Sequence, residues 1–484
     1  MAKARNPIAE LCAIAAMPGI EDLAQVIAPY CKGSTDPNAQ IIYLAGQWVT
    51  GSRNKLTSLL RDEAVWGEMR ASAARTGRAL PHRPPSEDKQ RHIRDRADDA
   101  NFGQQLADAF VPATAPLARM VGLMGEDTPS NLLLPNRANM AYADGSKFKA
   151  FSDIYLDPET GEIVGSLEGR VSPRMLVPEV TVGKNGCAPQ VPIATVGAHG
   201  GLRHQRVMLA VGLFMDYDEM DESMRLFHKV RNVYGSALHA FIYDMALSGA
   251  KIQEVLRSGV IPIVDMMAAD PKNPHLPVPK ELQALLGRAG RPKLHARIHR
   301  LSTENHQVGG SACTHAIWTI DGSPVTCDPG DLRPSFDNPS LSQPELEFTD
   351  HPAGDGKQLM ATYTVPCEHG GFPLTIDLAS DLPNSAGDYV PVARYLRPID
   401  SKGHLLDLRG YRSDVESSYR TIKAQSALFG RAHSLNPDHF LADMVGAGLW
   451  MNSTAWDVHA AQHTTNGQRL WETMIRAEDR KNIF

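Results

Sequence analysis

One segment restricts the fold of this chain more than any other: ALHAFIYDMALSGAKIQEVLRSGVIPIVDMM, from Ala237 to Met267. ALHAFIYD is nearly continuous in apolar residues and reads as a buried strand ending in Asp244. SGAKIQEVLRSG reads as a short amphipathic helix closed by Gly259, and VIPIVDMM reads as the next strand. A strand–helix–strand crossover makes its two strands parallel neighbours. An acid at the C-terminal end of a buried parallel strand stands where α/β sheets place their ligands. Asp244 is therefore a candidate functional residue, while Asp265, at the end of the next strand, reads as structural.

Four regions follow from patterning. Residues 1–135 read as helical. In NKLTSLLRDEAVWGEMRASAARTG the residues Leu56, Leu59, Leu60, Trp66, Met69 and Ala73 keep helical spacing, with Gly77 as a stop. A Pro-rich connector and a cap candidate at Ser86 follow. Residues 136–290 read as α/β, with NMAYADGSKFKAF a strand through Asp144 that is ended or bent by Gly145, and HQRVMLAVGLF another strand. Residues 291–385 are rich in Pro, Gly, Thr, Ser and Asp, with short alternating runs, and read as a β-rich insertion. The final region is 386–484, in which helical periodicity returns from about residue 410.

The bulk composition excludes some classes. The 484 residues are 42% hydrophobic and 21% charged, ordinary for a soluble chain of two or three domains. Net charge is −6, so any nucleic-acid footprint has to be local. One such patch exists: residues 53–96 carry eleven basic side chains against six acidic ones, a local +5. It reads as a solvated helical surface or as a phosphate-contacting arm. No run of 18 apolar residues marks a membrane span, and the N-terminal apolar stretch is interrupted by Glu10, which argues against a signal peptide. Six Cys in so long a chain do not suggest a disulfide framework. A cytoplasmic protein is expected.

RGYRSDVESSYRTIK, residues 409–423, mixes charge in a particular way. At roughly 100° per residue, Arg409, Arg412, Glu416 and Lys423 fall within an arc of about 60°. Val415, Tyr419, Ile422 and Phe429 fill the adjoining arc, suited to packing on a sheet. The basic neighbours favour an ionised Glu416 and suit an anionic ligand. Two strand-end aspartates, Asp144 and Asp244, and a helix glutamate form a set able to hold two Mg²⁺ ions, which prefer oxygen ligands. Such ions serve in-line phosphoryl displacement.

The order D…D…E on an α/β core, with a β-rich insertion before the Glu, resembles the DDE transposases of bacterial insertion sequences. It is most similar to the group typified by insertion sequence four. ADGS around Asp144 is similar to the D-G-T of the first acid. FIYDMALSGAKIQEVLRSGVIPIV looks like the second-acid segment. Arg412, Glu416 and Lys423 match the R, E and K of the Y-x2-R-x3-E-x6-K signature, whereas Arg409 stands at its Tyr position and Tyr411 lies only nearby. The resemblance covers roughly residues 136–290 and 385–460.

This resemblance implies an RNase H-like mixed sheet with helices, a helical N-terminal DNA-binding region and Mg²⁺-dependent cleavage and strand transfer, with Mn²⁺ as substitute. Asp144, Asp244 and Glu416 would hold the metals, and Arg409, Arg412 and Lys423 would contact phosphate. Double-stranded DNA, as transposon ends and target, would be the partner of a homodimer that is nucleoid-associated when bound. Asp153 and Asp157 compete with Asp144, but neither is followed by Gly-Ser or Gly-Thr after a strand. A silent DNA-binding derivative, an RNase H-like nuclease for another nucleic acid, and an unrelated α/β protein are the alternatives.

Three further groups stand out. Cys313, His315, Cys327, Cys367 and His369 form a loose Cys/His set in the insertion, open to a structural zinc. Their C-x-H spacing is tighter than the usual C-x2-C knuckle, and reduced thiols with turn histidines are the other reading. HGGLRHQR offers Arg203, His204 and Arg206 as a DNA-approaching or plain surface loop. His295 and His299 could share a helix face, or belong to a basic segment.

Overall fold

In the computed structural model, the described residues are 6–97, 101–126, 131–149, 155–156, 160, 163–164, 181–183, 186–188, 190–200, 205–214, 219–244, 247, 249–264, 275–280, 295–308, 310–331, 333–354, 356–383, 389–394, 396, 418–423, 434 and 437–463. The fold is mixed α/β with several sheets, one of them a mixed sheet. By contacts the chain divides into two compact units: residues 1–128, 137–238 and 413–484, and residues 129–136 and 239–412.

The first unit begins with seven helices: α1 Pro7–Ala16, α2 Ile20–Ile27, α3 Pro37–Thr50, α4 Arg53–Leu60, α5 Glu63–Arg75, α6 Glu87–Ala97 and α7 Phe102–Met120. Their starts are written locally. Asn6 caps α1 and Asp36 caps α3, each just before a Pro at the first helical position. The single helix expected across 54–77 is two, because the Asp62 side chain accepts from Ala64 N at 2.9 Å and starts α5 afresh. A capping side chain inside a periodic run overrides the period. Gly77, at φ +83°, follows α5 as expected.

Helix Pro437–His463 packs against α1, α3 and α7. Residues 440–453 of this helix are buried without interruption, so it is the core helix of the unit rather than a surface one. Gly446 permits the approach of α3, since a Cβ there would lie 2.5 Å from the Leu44 carbonyl oxygen. Asp443 meets Arg94, Arg53, Gln47 and Ser434 in this core. Arg78 holds Glu21 through Nε at 2.5 Å and donates to the Met17 carbonyl at 2.9 Å, as well as to that of Ala15, closing the C-terminal end of α1. Arg53, Arg78 and Arg94 of the basic 53–96 segment are thus committed to internal partners. These three of the eleven basic side chains of the segment therefore have structural partners.

Asp457 sits on the same helix at 2% exposure, with its Oδ1 lacking a hydrogen-bond partner among the described residues. Burial pushes its carboxyl up to about 7. Between the unfolded carboxylate range, near 4, and about 7, the unfolded chain is ionised while the folded one holds a proton. Stability should therefore fall as pH rises through that window. Asp457→Asn should flatten this fall and raise stability at pH 8 by a few kcal/mol, of order 1.4 per pKa unit. Denaturant melts at pH 5 and pH 8 check it; parallel pH dependence in both proteins counts against it.

The sheet of this unit starts with β1 Met140–Lys149. Small strands β2 Tyr155–Leu156, β3 Ile163–Val164, β4 Thr181–Gly183 and β5 Gly186–Ala188 form a sheet of their own, which was not expected from the sequence. Strand β6 Gln190–His199 pairs antiparallel with β1, placing Asp144 opposite Thr195, and with β7 Arg206–Leu213. The ladder slips between Val196 and Gly197, and the Asn452 amide receives Met208 N at 2.8 Å and donates to Met208 O at 2.9 Å. Helix α8 Glu219–Tyr234 covers β1, β6 and β7. β1 does not stop at Gly145: it runs on in register to Lys149 opposite Gln190. The glycine is there for room, because a Cβ would lie 2.2 Å from the Glu219 carboxyl carbon of α8.

The second unit holds the crossover. β8 Ala240–Ile242 and β9 Ile261–Ile263 pair in parallel, with α9 Gly249–Arg257 between them and Gly259 at φ +75° closing the helix. The β-rich region follows. β10 His275–Pro277, β11 His295–Val308, β12 Ser311–Ile320 and β13 Ser323–Cys327 form one antiparallel sheet. It therefore begins before residue 291. Val278, Ala296, Ile298, Ile320 and Val325 make its core. β14 Glu345–Asp350, β15 Lys357–Val365 and β16 Phe372–Asp377 form a second sheet, and β17 Asp381–Pro383 pairs with β18 Tyr389–Pro391. α9 packs on β15 and β18, and Gln253 Nε2 donates to Ala379 O at 2.9 Å and to Asp381 Oδ1 at 2.7 Å. His295 and His299 lie on β11, not on a helix; alternation there matches a period of two better than 3.6.

Candidate active site

In the first unit, Asp144 and Ser146 point to one face of β1 together with Phe148, because side chains two apart share a face. Gly145 turns the opposite face to α8. The helical stretch 418–423 lies on the Asp144 face. Two contacts fix it. The Tyr419 hydroxyl donates to the Asp144 backbone carbonyl at 2.8 Å and accepts from Thr195 Oγ1 at 2.9 Å. Lys423 Nζ donates to Ser146 Oγ at 2.6 Å and lies 5.1 Å from the Phe148 ring centroid.

Tyr419 and Ile422 are buried and Lys423 half-buried, which agrees with the apolar and charged arcs expected for this stretch. Burial lowers the Lys423 ammonium below its ordinary pKa, while the Asp144 charge opposes that shift. Lys423 is a cation brought close to the carboxylate strand by packing. Ser146 and Tyr419 are the residues that sequence reasoning passed over. The signal for Ser146 was its period-two relation to Asp144; for Tyr419 it was an apolar-arc position carrying a hydroxyl.

Asp244 belongs to the second unit. It lies two residues past β8, half-buried, at the C-terminal end of the parallel pair. Tyr243 N donates to Ile263 O at 3.1 Å, so the backbone leading into Asp244 is held by the β9 edge. The carboxylates at 144 and 244 are oxygen donors of the kind Mg²⁺ prefers, and each residue is half-buried. Glu416, Arg409, Arg412 and Arg203 lie outside the described residues, as do Asp153, Asp157 and Asp265.

Of the Cys/His set, Cys313, His315, Cys367 and His369 fall within one region of the second unit. Cys327 does not join them: it is buried at the end of β13, its thiol 3.8 Å from Ala316 O. His306, not anticipated from sequence, takes part instead. Among the described residues no single helix is long and apolar enough to cross a membrane. The chain matches no protein-family model, and no curated protein matches it.

Proposed function

We propose that the chain is a DDE transposase that cleaves and joins DNA at insertion-sequence ends with Mg²⁺, or Mn²⁺ in its place. The observation that carries this reading is the contact of Lys423 with the Asp144 strand through Ser146 at 2.6 Å. The lysine of the R-x3-E-x6-K motif and the strand of the first acid of a D…D…E series are far apart in sequence, and packing brings them into contact. Antiparallel β1, β6 and β7, then α8, then the parallel β8–α9–β9 crossover support an RNase H-like core.

In this reading Asp144, Asp244 and Glu416 would hold the metal ions, whose chemistry when bound would be activation of the attacking oxygen and stabilisation of the leaving one. Lys423 keeps a positive charge beside Asp144 and offers it to a phosphate; Arg409 and Arg412 serve the same backbone grip. Tyr419 positions the helix against β1 without using the Asp144 carboxylate. The protein acts as a dimer on double-stranded DNA, since joining needs two ends together.

The test sequences the DNA flanking the gene for short inverted repeats and incubates duplex oligonucleotides of those flanks with the full chain and Mg²⁺. Nicked and joined products are expected. Binding without cleavage in either metal points to a silent DNA-binding derivative. Cleavage confined to an RNA–DNA hybrid or a branched junction points to another nuclease. Lys423→Ala should weaken end binding across sequences alike and reduce the slope of log affinity against log salt by about 1, with Lys423→Arg restoring it. An unchanged slope, measured by fluorescence anisotropy over a salt series, removes the phosphate contact from the proposal.

A further inference from the structure

We propose that the β-rich region of the second unit carries a structural Zn²⁺ site made by Cys313, Cys367 and His369 and closed by an imidazole of the His306–His315 pair. The β11–β12 hairpin supplies half of it. His306 stands directly opposite Cys313 in that ladder, and His315 lies two residues beyond Cys313. Cross-strand partners and i, i+2 neighbours share a face, so these three side chains leave the hairpin on one side. The turn between β15 and β16 supplies the other half. Cys367 and His369 are fixed there by a Gly370 N–H to Cys367 O bond of 3.1 Å, with Gly370 at φ +110°.

The ligand atoms of Cys313, Cys367 and His369 all lie within 4.8 Å of one another, and so do those of His306, His315 and Cys367. Cys367 is common to both sets. Cys313 Sγ is 3.0 Å from His369 Nδ1. A tetrahedral ion with bonds of about 2.3 Å to sulfur and about 2.0 Å to nitrogen needs its ligand atoms roughly 3.3–3.8 Å apart. The Cys313–His369 separation is already close to that spacing, and the closing imidazole comes within 4.8 Å of Cys367, the ligand that the two groups share.

A second observation points to a ligand. His306 Nδ1 and His315 Nε2 are buried and have no hydrogen-bond partner among the described residues. Buried ring nitrogens without partners are costly unless something accepts or donates to them. Phe372 packs on both rings, with centroids 4.4 Å from His306 and 5.4 Å from His315, and so holds them toward Cys367. Two thiolates with imidazoles select zinc over the hard ions that carboxylates take. The site ties the β11–β12 hairpin to the β15–β16 turn, which belong to separate sheets. Small sheets with a small apolar core are where a metal staple contributes most.

The experiment is metal analysis of the full chain purified under reducing conditions, by mass spectrometry and by Co²⁺ substitution. The expected result is about one Zn²⁺ per chain and the visible absorption of a tetrahedral cobalt–thiolate centre. Cys313→Ser and Cys367→Ser should lower zinc content at least tenfold, whereas Cys327→Ser should keep it. If the serine variants do not fold, the His306→Ala/His315→Ala double variant and His369→Ala take their place. A wild-type chain that stays zinc-free after reconstitution overturns the proposal. So does full zinc in the Cys367→Ser protein, equal loss in Cys327→Ser, or a Cys313–Cys367 disulfide in the reduced preparation. No DNA cleavage enters these readouts, so they stand apart from the nuclease reading.

Discussion

Asp144→Asn and Asp244→Asn, like Glu416→Gln, should each lose Mg²⁺-dependent cleavage of end DNA by on the order of a thousandfold or more, about 4 kcal/mol of barrier. The amide keeps the size of the side chain and removes its charge. Mg²⁺ keeps several waters and relies on one or two carboxylates to bind at all, so a neutral ligand in that position forfeits occupancy as well as geometry. The backbone carbonyl of Asp144, which accepts from Tyr419 at 2.8 Å, is unchanged by the substitution, so this contact between β1 and the 418–423 helix is kept. DNA binding without metal should therefore persist in a mobility-shift assay while nicking vanishes. Wild-type nicking rates in either aspartate variant would sink the carboxylate assignment. Loss of both binding and nicking, with a lowered melting temperature, would instead show that Asp144 is needed for the fold.

How far the sequence could be read depended on the range of the interaction. The β8–α9–β9 crossover was legible because each element declares itself by period and by Gly259, and handedness leaves few ways to connect them. Tyr419 and Ile422 were placed correctly for the same reason. Features set by distant partners were not legible. Gly145 looked like a strand end, but its missing side chain makes room for Glu219. Within the basic segment 53–96, Arg53 and Arg94 pair with Asp443, hundreds of positions away, which no local pattern announces. Cys327 was one of the loose Cys/His set, whereas strand register places His306, not Cys327, opposite Cys313. The contact of Lys423 with Ser146 was not legible, since no local pattern joins two residues 277 positions apart.

The largest stability effect should come from Asp443. Its side chain is 0% exposed, and it accepts from Arg94 Nη2 at 2.5 Å, Gln47 Nε2 at 2.8 Å and Ser434 Oγ at 2.6 Å, with Arg53 Nη2 at 3.3 Å. Trp48 Nε1 donates to its backbone carbonyl at 2.8 Å. These contacts join α3, α4 and α6 to the central C-terminal helix. Asp443→Ala leaves the Arg94 guanidinium, whose side chain is 6% exposed, as a buried charge with no counterion. Removing one member of a buried pair costs about 3–5 kcal/mol, mostly the desolvation of the charge left behind. Arg53 differs, because its side chain is 24% exposed and can turn to water. The penalty should therefore track Arg94: adding Arg94→Met to Asp443→Leu should recover much of the loss, as replacing both charges by apolar groups of similar size often does. Guanidinium melts of the two single variants and the double one give the coupling directly. If Asp443→Ala lies within about 1 kcal/mol of the parent, or the double variant is no better than the sum of the singles, then the network does not hold the helices together as its geometry requires.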